Sequence, residues 1–404
     1  MTEHVAVGPI VDDGTARRNV FVLVVAGALA GSMPPINIAS GALVGDMLLG
    51  ANKSLATLPV TAFVLGTACG TVPAALLTRR IGRRAGFIAG MFVGVAGGIV
   101  QAVAVTIGSF LLLCAGTLLA GACAAFYQQF RFAAADTASE AFRPRAISLV
   151  LVGGIAGAVI GPQTVIHFAD LFPAAPFAGA YLAGIGLLLL AAAALLFLDI
   201  PMPAARRSES GGRPLAEIAL RPQFLVAVGC ATSAYALMSF VMTAAPLAMV
   251  MHDHHRDMAM LGIQWHVIAM FAPSFVTGSL IARFGAHAVV ATGLVLLIGT
   301  ALVALSGTSV AHFWLALVLL GVGWNFGFIG GTTLVTRSYE PEEKEKVQAL
   351  NDFTIFGFVA LASLSSGGML QVGGWDVVNL VVLPVALVSL AALFWQMGRR
   401  IRPV

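Results

Sequence analysis

Met238 with Met242, and His266 with Met270, lie four residues apart on two consecutive apolar stretches of the chain. Side chains at this spacing share one face of a helix, with Cβ atoms about 6 Å apart, so each pair can present two donors to one point between helices. Thioether sulfur prefers a soft ion such as Cu(I) to hard ions such as Mg2+ or Ca2+, and imidazole also accepts copper. The segment joining the stretches reads Met251-His252-Asp253-His254-His255-Arg256-Asp257-Met258-Ala259-Met260, so seven of the 14 Met and four of the 8 His fall between 238 and 270. The pattern predicts a copper site with Met238, Met242, His266 and Met270 as ligands. His252, His254, His255, Met258 and Met260 then form a low-affinity funnel above it. Against this stands the ordinary use of Met, which fills irregular gaps in cores. His266 weighs toward a site, because an ionisable residue deep in a membrane helix normally faces a cavity or a partner. Its ordinary alternative is an interhelical hydrogen bond.

The elements that must position these residues are membrane helices. Hydrophobic residues make up 59% of the chain and charged residues 10%, and the mean hydropathy is +0.95, a composition outside the soluble globular range. A span needs about 20 mostly apolar residues. Twelve such stretches are predicted: 19 to 45, 56 to 77, 85 to 105, 109 to 131, 146 to 168, 176 to 199, 223 to 250, 261 to 282, 286 to 307, 311 to 336, 348 to 372 and 375 to 398. The first has no small-residue cleavage site and is expected to be retained. With both termini on one side, twenty of the 22 Lys and Arg lie on that side and only Lys53 and Arg256 on the other, which places both termini in the cytoplasm.

The longest internal polar segment, 201–222, carries Arg206, Arg207, Gly211, Gly212 and Arg213 and reads as a cytoplasmic linker. It divides the chain into six-helix lobes at 1–200 and 223–404. Ala75-Leu76-Leu77-Thr78-Arg79-Arg80-Ile81-Gly82-Arg83-Arg84 after span 2 is echoed by Gly278-Ser279-Leu280-Ile281-Ala282-Arg283-Phe284-Gly285 after span 8, an internal repeat of the kind two-lobed transporters carry. Asn37 beside Pro34 and Pro35, and Asn325 beside Gly323, sit where helices could bend; Trp324, Asn351 and Asp352 are among the other polar groups inside spans. Cys69, Cys114, Cys123 and Cys230 form no Cys-x-x-Cys pair and no disulfide framework. No phosphate-binding Gly loop, nucleophile elbow or deep carboxylate pair suggests an enzyme, and no aromatic-interleaved basic patch suggests nucleic acid.

At the loop after span 2 the chain resembles the major facilitator superfamily, whose signature there is Gly-x-Leu-Ala-Asp-Arg-x-Gly-Arg-Arg. Arg80-x-Gly82-Arg83-Arg84 matches its end, Arg79 stands where the family usually has Asp, and Ala75 replaces the leading Gly. The resemblance implies an all-α membrane protein with the major facilitator fold. Within that superfamily, Met238-x-x-x-Met242 and His266-x-x-x-Met270 resemble the paired motifs of the CcoA-type copper importers, which supply copper for cbb3-type cytochrome oxidase assembly. The expectation is a monomeric secondary transporter in a bacterial inner membrane, importing copper from the periplasm by alternating access toward a cytoplasmic copper acceptor. Copper is then the cargo, with no resident cofactor. The alternative is a transporter of a small organic solute or drug, riboflavin-like or of the efflux type, in which the Met residues line an apolar cavity.

Overall fold

The computed structural model describes residues 13–51, 53–136, 138–139, 142–200 and 212–401. Among them the regular structure is entirely helical. The first half contains α1 (Asp13–Ala30), α2 (Met33–Leu48), α3 (Leu58–Ile81), α4 (Arg83–Ile107), α5 (Phe110–Tyr127), α6 (Phe130–Asp136), α7 (Arg143–Phe168) and α8 (Ala178–Leu195). After the short α9 (Leu215–Ala219) come α10 (Pro222–Met251), α11 (Arg256–Phe271), α12 (Ser274–Phe284), α13 (Ala286–Ser306), α14 (Val310–Thr336) and α15 (Lys344–Ile401).

Ten helical segments are long and apolar enough to cross a membrane, with α1–α2 and α5–α6 each counting as one broken span; α11–α12, bent by 41°, makes an eleventh. The twelfth comes from α15, whose 58 residues would extend about 87 Å as one rod, against a hydrocarbon core of about 30 Å. Gly374 breaks it at φ 68° and ψ −170°, in the left-handed region that only glycine enters cheaply. The break falls between the stretches expected to end at 372 and begin at 375. The protein is therefore a multi-pass membrane protein, with twelve traversals among the described residues.

Glycine sets the closest crossings. A Cβ on Gly121 would lie 2.0 Å from Phe63 O, and one on Gly66 would lie 2.0 Å from Leu118 O, so α3 and α5 meet backbone to backbone. Between the early and late helices, α2 packs on α10 and α11, α7 on α11, and α3 on α15. Residues 201–211, most of the expected linker, lie outside the described residues.

Where the chain resumes, Gly212 takes φ +82°, and a Cβ there would sit 2.4 Å from Glu343 Cγ. The Glu343 side chain is 1% exposed. It accepts from Arg213 N, Nε and Nη2 at 2.8, 2.7 and 2.6 Å, and from Glu340 N at 3.0 Å. Lys346 Nζ donates to Arg213 O at 2.5 Å. The Arg213 guanidinium, followed by the Glu340 N–H, holds the Glu343 carboxyl well below the usual carboxylate range. The end of the linker is thereby fastened to the turn before α15.

Candidate functional site: an aromatic platform inside the bundle

Span 10 places Trp324 and Phe328 one turn apart on α14, where their rings stack at 5.2 Å with planes 14° apart. Tyr235 of α10 meets both edge-on, at 5.4 Å from Trp324 and 5.1 Å from Phe328. Phe271, at the end of α11, stands 6.0 Å from Trp324, and Phe356 of α15 stands 6.1 Å from Tyr235. Four elements thus contribute to one aromatic platform. Tyr235, Phe271, Phe328 and Phe356 are half-buried, so faces of this cluster remain open. Arg131 of α6, exposed, lies within electrostatic range of Tyr127, Asp352 and Tyr235, which brings the early helices to the same place.

The platform is braced by the break in span 8. Asn325 Nδ2 donates to Met270 O at 2.6 Å and to Ser274 Oγ at 2.7 Å, while Asn325 Oδ1 accepts from Thr277 Oγ1 at 2.6 Å. Those bonds satisfy backbone and hydroxyl groups around Ala272–Pro273, where the helical ladder is interrupted. Asn325 therefore supports a bend in the neighbouring helix and not one in its own, and α14 runs unbroken through it. Asn37 likewise donates to Met33 O, at 2.9 Å, and is paired with Gln101 on α4, just after the Gly31–Ser32 break.

The copper candidates are packed. Met238, Met242 and Met270 are 1%, 5% and 7% exposed and belong to the main apolar core. His266, 0% exposed, donates from Nδ1 to Leu317 O at 2.7 Å, the interhelical bond that is the ordinary role for such a residue; its Nε2 has no partner among the described residues. In the loop, His252 Nδ1 donates to Ala248 O at 2.8 Å and His254 Nε2 to Thr308 O at 2.6 Å. His255 Nδ1 caps α11 by accepting from Asp257 N at 3.3 Å. Met258 is half-buried and Met260 is fully buried. No group of three or more His, Cys, Asp or Glu among the described residues could hold a metal ion.

The halves are joined at the end of the bundle opposite the basic loops. Arg256, at the start of α11, donates from Nη1 and Nη2 to the two carboxylate oxygens of Asp170 after α7, at 3.0 and 2.7 Å, and lies 5.2 Å over the Phe177 ring. Gln163 Nε2 donates to Gln264 Oε1 at 3.0 Å, and Thr61 Oγ1 to Ser363 Oγ at 3.2 Å. At the basic end, among the described ion pairs, Arg18–Asp199 and Arg83–Asp136 stay within the first half, Arg221–Glu217 lies within the linker segment, and Arg213–Glu343 ties that segment to the second half. A recess of about 1160 Å3 lies elsewhere, between α9, α10 and both parts of α15. Phe358 and Leu361 on its wall are 55% and 62% exposed. It is an apolar groove with exposed walls, and none of the platform rings lines it.

Broken spans and an aromatic platform built from α10, α11, α14 and α15 thus characterise this all-helical membrane fold. The Major Facilitator Superfamily profile matches residues 19–272 and 227–403, and the chain belongs to that superfamily. Over 390 residues, which are 96% of this chain and 97% of the other, it is 48% identical to the riboflavin transporter RfnT of Brucella anthropi. It is 31% identical over 399 residues to the uncharacterized MFS-type transporter YdeG of Bacillus subtilis, covering 95% and 93% of the two chains. The fold matches that of the nucleoside transporter NupG with a TM-score of 0.70 at 14% identity, and that of the human organic anion transporter MFSD10 with 0.63 at 17%; each match covers 94% of this chain and 99% of the other.

The full-length likeness to a riboflavin transporter overturns the expectation of copper import, and with it the link to cytochrome oxidase assembly and to a copper acceptor. The physical reason lies in Met238, Met242 and Met270, whose spacing is equally that of core packing, and in His266, whose bond to Leu317 O accounts for its burial. Tyr235, Phe271 and Phe356 were missed because they come from three separate helices and carry no local spacing. The four-residue interval from Trp324 to Phe328 was the one local signal.

Proposed function

We propose that this protein is a secondary transporter of riboflavin or a closely related flat heterocycle. The observation that carries the reading is the 48% identity to a riboflavin transporter along 96% of the chain. The platform supplies a physical means. A three-ring flavin offers a broad π face, and stacking on aromatic side chains contributes about 1–3 kcal/mol per ring system in the comparable case of nucleobases. Tyr127, Arg131 and Asp352 then surround the platform with groups that could meet hydroxyls or ring-edge polar atoms.

In this reading the halves 1–200 and 223–404 are rocking lobes, the basic face is cytoplasmic, the membrane is a bacterial inner membrane, and a single chain is the transport unit. Opposite-face contacts such as Arg256–Asp170 and Gln163–Gln264 favour a state open to the cytoplasm. Uptake requires that they separate so substrate can reach the platform from outside. The test is uptake of radiolabelled riboflavin by a bacterial strain that can neither make nor import it, with and without this protein. Growth rescue and saturable uptake are expected. Uptake at the background rate, with the protein present in the membrane, refutes the substrate.

A further inference from the structure

Resting on the riboflavin reading, we propose that the indole N–H of Trp324 is the specificity-determining donor of this site, bonding a ring carbonyl of the heterocycle that stacks on the platform. Trp324 is 7% exposed, and its ring is held by Tyr235, Phe271 and Phe328. Its Nε1 is buried and has no acceptor among the described residues. A buried donor without an acceptor carries a desolvation cost that a bound acceptor removes.

The neighbouring polar groups make the orphan donor informative. Asn325, the next residue, is satisfied at both ends of its side chain by Thr277, Met270 and Ser274. Trp314, three turns earlier on the same helix, donates to Met258 O at 2.9 Å. Trp375 also has an unpartnered Nε1, but it packs 4.9 Å from Phe313, about 16 Å along α14 from Trp324. Trp324 alone combines an unused donor with open aromatic faces beside it.

The chemistry divides between the two parts of the ring. Stacking tolerates any flat π system, because every such ring has a face. A hydrogen-bond donor discriminates far more sharply, because a ligand lacking the acceptor leaves the donor stranded. The isoalloxazine ring has carbonyls on one edge and methyl groups on the other. The platform then supplies affinity, and the Trp324 N–H selects heterocycles with a carbonyl edge.

The experiment uses the full chain in lipid nanodiscs, with riboflavin as the probe, its affinity read by fluorescence quenching and its carbonyl stretch by infrared difference spectroscopy. Two variants remove the donor: Trp324→Phe, and Trp324→benzothienylalanine, which keeps the bicyclic shape and lacks only the N–H. Both are expected to bind riboflavin about tenfold more weakly, with the carbonyl band moving back to higher wavenumber. Phe328→Leu is expected to weaken binding while leaving the band where the unmodified protein holds it. A benzothienylalanine variant with unchanged affinity, or with an unmoved carbonyl band, overturns the role of Trp324. If the unmodified protein does not bind riboflavin, the substrate reading falls first and takes this inference with it.

Discussion

Cutting the tie between Arg256 and Asp170 should shift the protein toward the state open at the opposite face. The bond is bidentate, but Asp170 is 71% exposed and Arg256 20%, so solvent screens it. A pair of this kind contributes about 0.5–1 kcal/mol. The Phe177 ring under Arg256 adds about 0.5–1 kcal/mol. Asp170→Asn loses the first contribution alone, a shift of about 2–5-fold in the ratio of the two states. Arg256→Gln loses both, a shift of about 5–30-fold. Pulsed electron spin resonance between nitroxides on the α7–α8 and α13–α14 loops reads the two populations. The order of the variants is the critical result: equal shifts, or distance distributions matching the unmodified protein, would refute the assignment of Arg256 as the tie. The Arg256 guanidinium also holds the Asp170 carboxyl below its ordinary value. The pair is then fully present above the ordinary aspartate value of about 3.9 and is lost only as pH falls below it. Populations should accordingly respond to this pair neither at pH 8 nor at pH 5.

Replacing Met238, Met242 and Met270 together by Leu should leave riboflavin uptake within about twofold, since volume and apolarity are kept, and a copper chelator should leave it unchanged; loss of uptake in either case would return a metal to the mechanism. Gly321→Ala should lower thermal stability by about 1–3 kcal/mol, because the new Cβ would lie 2.6 Å from His266 O and 3.0 Å from Met270 N. Gly299→Ala, with nothing nearer than Leu319 at 3.9 Å, should be neutral or stabilising, and scanning fluorimetry separates the two. Glu343→Gln should lower the unfolding temperature by a constant margin from pH 8 to pH 5, because a carboxyl held below its ordinary value stabilises the fold everywhere above about 4.3 and loses that contribution only on further acidification. A margin that vanishes at pH 6 would refute the anchor formed with Arg213.

The span pattern was readable because bilayer thickness constrains each apolar stretch separately. Even the turn at Gly374 was visible, as the short gap between stretches ending at 372 and beginning at 375. Breaks inside spans were less legible: Pro34 and Pro35 marked the first, whereas Pro273 left the break in span 8 unmarked until Asn325 was seen to brace it. The substrate was misread for a related reason. Four-residue spacing reports which side chains share a helix face, not what that face meets, and for Met238 and Met242 it meets core. The platform depends on rings from α10, α11, α14 and α15 converging in space, which no local interval in the sequence encodes.

Gly374 joins spans 11 and 12 by a single residue, as Gly82 joins α3 to α4 and Gly285 joins α12 to α13. That one non-helical residue leaves little chain between the two arms. Span 11 is also the arm that touches the early half of the chain, through Ser363 with Thr61. In the rocking-lobe reading proposed above, release of that contact moves span 11 and draws span 12 along through the one-residue joint. In that reading the hairpin acts as one lever, with span 12, whose Leu387, Val388 and Phe394 are exposed, as its outer arm.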